Sequence, residues 1–134
     1  MEFALTLPLL LILVLGIIQY GLYFAARQGG SDISRDAARR AAVGESADCA
    51  SFRAAVKSNI GGVVGASPDD AVITRSYTRA DPALVQVGDT VTVKVAFDSH
   101  DLHVPFVPTP GNARVETTVI ARVEYVPTQP ETCG

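Results

Sequence analysis

The sequence predicts an α+β protein: one long N-terminal helix, a short second helix and a small three-stranded antiparallel sheet. Three observations carry this reading. Residues 3–26 contain no charged side chain. An alanine-rich stretch with paired charges follows directly. Farther on, two segments alternate apolar and polar residues at the two-residue period of a strand. Of the 134 residues, about 105 lie beyond the apolar opening, enough for one small domain. The chain divides into a transmembrane helix at 1–28, an extension of that helix packing on the domain at 29–45, and a small α+β domain at 46–134. The net charge is -3 and Trp is absent. A nucleic-acid face needs a basic stripe with interleaved aromatics, and none is present.

The opening reads MEFALTLPLLLILVLGIIQYGLYFAARQGG. A secretory signal would begin with basic residues and carry a short apolar core. Here the first basic residue is Arg27. The uncharged run is also too long for a signal core. At helical rise it reaches roughly 36 Å, enough to cross a hydrocarbon layer with some tilt. Pro8 removes one hydrogen bond from the first turns, which Thr6 and nearby backbone can partly restore. Gly16 and Gly21 are thin places where another helix could approach, although their five-residue spacing is not that of GxxxG. Tyr20 and Tyr23 fit an interfacial aromatic belt.

Orientation presents a conflict. Arg27, Arg35, Arg39 and Arg40 all follow the span, which would place the domain in the cytoplasm. The cysteines argue for an oxidising compartment. A basic leader preceding Met1 and removed by processing would reconcile the two.

Beyond the span the helix should continue. Ala25, Ala26, Ile33, Ala37, Ala38, Ala41 and Ala42 form a stripe of small residues, and Asp36 can pair with Arg39 and Arg40. Gly29-Gly30 marks either a bend or a close contact, and Gly44 a stop. Ser46 or Asp48 can cap a second helix from Ala47 to about Ile60, with Phe52, Val56 and Ile60 on one face. The following Gly61, Gly62 and Gly65 break it. Phosphate-cradling glycines precede a helix, so these form a turn.

Strand candidates are 71–78, weakly patterned, then 90–98 and 113–126. In the second, Val91, Val93, Val95 and Phe97 share a face. In the third, Val115, Val119, Val123 and Tyr125 do so. Such alternation means a sheet with one wet face, and the amphipathic half of the long helix is the natural cover for the dry one. The connection SHDLHVPFVPTPGN carries Pro105, Pro108 and Pro110 beside the apolar Val104, Phe106 and Val107. It either folds back onto the sheet as core or offers an apolar patch to a partner.

Candidate chemistry is sparse. His100, Asp101 and His103 could touch a metal, but they form one loop cluster without a fourth ligand. No G-x-S-x-G, H-E-x-x-H or Walker pattern occurs, and the cysteines are not C-x-x-C. No catalytic residue, metal or cofactor is expected. Cys49 and Cys133 bracket the domain and read as one disulfide rather than two buried thiols. Such a bridge closes a loop worth roughly 4 kcal/mol on the chain-entropy model.

The segment MEFALTLPLLLILVLGIIQYGLYFAARQ, followed by SRDAARRAAVGE, resembles the TadE-like minor pilins (pseudopilins) of Flp/Tad type IVb pili. The elements E-F-A-L-x-L-P, G-I-I-Q-Y-G and A-A-R-R-A-A carry the resemblance over about the first 45 residues. Met1 stands where the family often has a small or branched residue. The resemblance implies a type IV pilin-like fold whose apolar helix half becomes a filament core. It implies a leader cut by a prepilin peptidase a few residues before Glu2. Glu2 would then neutralise the freed amine, on a neighbouring subunit, as a charge pair that sets register. Alternatively, Glu2 sits among lipid headgroups. Implied partners are other pilin subunits, the peptidase, the assembly platform and the membrane. The implied location is the cytoplasmic membrane before assembly and an extracellular pilus afterwards, with the domain extracytoplasmic. The competing reading is a singly anchored envelope protein that binds a partner without forming a filament.

Overall fold

The computed structural model describes residues 2–134; Met1 and the side chains of residues 2, 4 and 5 lie outside the described residues. Helix α1 (Glu2–Ala42) is a single rod, about 60 Å long by its rise. Pro8 lies within it, and near the start of the helix the Thr6 hydroxyl donates to the Phe3 carbonyl at 3.4 Å.

The second half of α1 is joined to the domain by its smallest residues. Ala26, Ile33, Ala37, Ala38, Ala41 and Ala42 are buried, on one side of the helix as their spacing requires. Gly29 and Gly30 are a close contact and not a bend. A Cβ on Gly30 would sit 3.0 Å from the Phe97 ring and 3.1 Å from Val115, and one on Gly29 would meet Val63 at 2.5 Å. The helix ends where Glu45 N–H reaches the Arg40 carbonyl at 3.0 Å and Gly44 N–H the Ala41 carbonyl at 3.4 Å. Gly44 has φ +67°, the left-handed turn that glycine makes without steric cost.

Helix α2 (Cys49–Gly61) starts at Asp48, whose carboxylate accepts from Ser51 N–H at 2.8 Å. This bond and one from the Ser51 hydroxyl hold the Asp48 carboxyl below its usual range. Phe52, Val56 and Ile60 are buried, as their spacing predicts.

Strands β1 (Ala66–Thr78), β2 (Thr90–Ser99) and β3 (Arg114–Arg122) form one antiparallel sheet in the order β1-β2-β3. Central β2 buries Val91, Val93, Val95 and Phe97 completely, on the face that α1 covers. The wet face carries ion pairs between Lys94 and Glu116 at 2.8 Å and between Arg114 and Asp98 at 3.1 Å. Such exposed pairs contribute little to stability.

The structure corrects two strand boundaries. β1 starts at Ala66, earlier than expected, because the register shifts between Ser67 and Val72 and breaks the alternation. β3 stops at Arg122, short of the expected end at 126. There the chain turns away: Val123 N–H donates to the Asp89 carbonyl, and Glu124 and Tyr125 N–H both donate to that of Ala42. Val123 is still buried, but Tyr125 is 61% exposed and not on the dry face.

The C-terminal tail returns along the outer edge of β1. Arg75 and Cys133 exchange backbone hydrogen bonds of 2.9 and 2.8 Å, and Cys133 is bonded to Cys49 with Cα atoms 5.6 Å apart. The Arg75 side chain is fully buried. Its guanidinium donates to the carbonyls of Ser46, Ala47 (2.9 Å) and Glu131 (3.0 and 3.2 Å) and lies 4.4 Å from the Phe52 ring centroid. Burial pushes its pKa below the usual value. One arginine thus ties together the α1–α2 connection, α2 and the tail.

Candidate membrane and assembly surface

Roughly the first four turns of α1, from Phe3 to about residue 15, stand clear of the domain. Phe3, Leu7, Leu9, Leu10, Leu13 and Ile17 are each at least 60% exposed. In water such a row would be a large unfavourable apolar surface. By length and composition the helix can cross a bilayer. Pro8 lies in this exposed stretch, and its fixed φ is compatible with the helix near its start. Gly21 faces open space: a methyl group added there would meet nothing within 4 Å. Glu2 begins the helix, but its side chain, the expected charge partner, is outside the described residues.

Gly16 is not left open to a second helix. Val107 of the same chain rests on it, 3.5 Å from where a Cβ would be. The connection between β2 and β3 therefore folds back onto α1. Asp101 anchors it by accepting from the Gln19 amide at 3.2 Å and from His103 N–H at 2.8 Å. The Tyr20 hydroxyl donates to the Pro108 carbonyl at 3.1 Å, and Gly111 passes close to the Tyr23 hydroxyl.

The three apolar residues of this loop separate. Val104 is buried, Val107 is half-buried against α1, and Phe106 is 96% exposed. Phe106 has φ +66°, a conformation that bulky side chains seldom adopt. His103 and Asp101 form an exposed loop turn with His100 beside them; among the described residues no three His, Cys, Asp or Glu side chains gather as a metal site.

Sequence reasoning missed Gln19 and Arg75. Gln19 is 2% exposed, the one amide in an otherwise apolar span, and that isolation was a usable signal for a polar partner. Arg75 carried no such signal, because its acceptors are backbone carbonyls far away in sequence.

No curated protein and no solved structure matches this chain. A family model described as TadE-like protein matches residues 1–39, which is the exposed half of α1 together with most of its alanine-faced extension. Over that segment, less than a third of the chain, the sequence is similar to TadE-like proteins.

Proposed function

We propose that this chain is a pilin-like structural subunit of a type IVb (Tad/Flp) pilus, held in the membrane by the first half of α1 before assembly. The observation that supports this best is the division of α1. One half is exposed and apolar, the other is packed on the domain by alanines, and the TadE-like match covers both. A rod of this kind exchanges lipid for helix neighbours at small net cost, since both surroundings are apolar. Glu2 then neutralises the amine of a neighbouring subunit, its partners being other pilin subunits, the prepilin peptidase and the assembly platform.

The test is N-terminal sequencing and intact mass of the protein in sheared surface material and in membranes. A processed chain with a free amine just before Glu2, enriched in the sheared fibres, is the expected result. Glu2→Ala should keep membrane insertion and lose assembly. An unprocessed chain confined to membranes would leave a singly anchored envelope protein and remove the role of Glu2.

A further inference from the structure

We propose that the tip of the β2–β3 loop, residues 102–109, inserts into the bilayer leaflet on the domain side, beside α1. The proposal rests on the reading that α1 spans a membrane, and it assigns the loop a lipid partner.

The first argument is position. Two loops clasp α1 at one level. The turn at Gly65 meets the Leu22 backbone, the β2–β3 loop covers Gly16 to Tyr23, and His100 N–H joins the two by donating to the Gly65 carbonyl at 2.8 Å. With Tyr20 at the interfacial belt, Phe3 lies about 26 Å away along the helix, close to one hydrocarbon thickness. Gly16, where Val107 rests, then lies roughly 6 Å below the belt. Interfacial amphipathic segments bury their apolar face to about 5–10 Å.

The second argument is chemistry. From Leu102 to Ala113 the only ionisable side chain is His103, which is tied back to Asp101 at the level of Gln19. Phe106 is 96% exposed, Leu102 45%, and on the adjoining turn Val64 69%. Irregular backbone is normally barred from lipid by its unmet polar groups. Here Pro105 and Pro108 carry no N–H, Val107 N–H donates to the Val104 carbonyl at 3.2 Å, and the Pro108 carbonyl accepts from Tyr20. The loop thus presents apolar side chains next to an apolar span that needs the same solvent, with the N–H groups of His103 and Val107 met inside the loop.

Because the chain has no Trp, a single Trp reports its own surroundings. The full chain carrying Phe106→Trp is reconstituted into phosphatidylethanolamine/phosphatidylglycerol vesicles whose acyl chains are unbrominated, brominated near the headgroup end to reach the loop, or brominated toward the chain end to reach residue 13. Leu102→Trp is the second loop probe, should the first fold poorly, and Leu13→Trp reports the span. The expected result is loss of most loop-Trp emission to brominated lipid and protection from aqueous iodide, alongside quenching of Leu13→Trp by lipid. Iodide quenching of the loop probes with Leu13→Trp in lipid overturns the proposal and leaves the span intact. Loop probes quenched by neither agent overturn it too, because protein would then cover the loop. If brominated lipid does not reach Leu13→Trp, the span and the loop insertion fall together.

Discussion

Replacing Arg75 tests whether a buried charge without a carboxylate in contact stabilises this domain. Arg75→Met keeps most of the volume and removes every donor. The Ser46 and Glu131 carbonyls lose the guanidinium, whereas the Ala47 carbonyl keeps its bond from Glu131 N–H at 2.8 Å. Each buried acceptor left unmet costs about 1–3 kcal/mol, and the contact with Phe52 contributes about 0.5–2 kcal/mol. Against these stands the relief of returning a charge to water, which amounts to several kcal/mol for an ion without compensation. Here the hydrogen bonds to three carbonyls and the rings of Phe52 and Tyr77 compensate it, so the net loss for Arg75→Met should be about 2–4 kcal/mol. Arg75→Lys keeps the charge but not the planar fork that reaches three carbonyls at once, and should lose a similar amount. Urea unfolding of the full chain in detergent micelles, followed by circular dichroism, measures both. An Arg75→Met variant as stable as the parent would refute the reasoning, because the charge would then cost as much as its grip returns.

Three further outcomes are expected. Cys49→Ser or Cys133→Ser opens a loop with a sequence separation of 84; the entropy model gives a loss of about 4.5 kcal/mol, to be read as a lower urea midpoint and faster proteolysis of the tail. Gly30→Ala gains about 1 kcal/mol of helix propensity but presses on Phe97 and Val115, both buried; overpacking at about 1–3 kcal/mol should win, whereas Gly21→Ala, in open space, should not destabilise. Asp48 and Asp89 have carboxyls held below their usual value, chiefly by backbone N–H groups of Ser51 and of Gln86 and Ala80. The folded state therefore binds fewer protons than the unfolded one. Their contribution is complete above the ordinary aspartate pKa and disappears as pH falls through the depressed folded values. Acid titration of the urea midpoint should show this fall, and Asp48→Asn with Asp89→Asn should flatten it.

The parts of the fold legible in the sequence were those governed by one local pattern. Val91, Val93, Val95 and Phe97 alternate without interruption because β2 is central and one of its faces is dry throughout. Phe52, Val56 and Ile60 do the same for α2. β1 was legible only as a weakly patterned candidate over 71–78, because its inward face reads Ile73, Arg75, Tyr77, and an arginine on that face looks like a wet position. β3 looked longer than it is because Val123 stays buried after the strand has ended, held by the Asp89 carbonyl rather than by a ladder. The β2–β3 loop was ambiguous for a different reason. Its seat, Gly16 to Tyr23, is more than 80 residues away, and no local periodicity encodes a contact at that distance.

The disulfide has a mechanical consequence. It closes a covalent ring that contains α2 and all three strands, while α1 lies wholly outside. If a motor or a shear flow pulls on the rod, tension reaches the ring at Cys49, and nothing beyond that residue can be drawn out straight while the bond holds. The only extensible leader is the short connection after Ala42, and Arg75 grips it at Ser46 and Ala47. Load along α1 therefore acts first on the contact between its alanine face and the sheet, ahead of the ring that the disulfide closes.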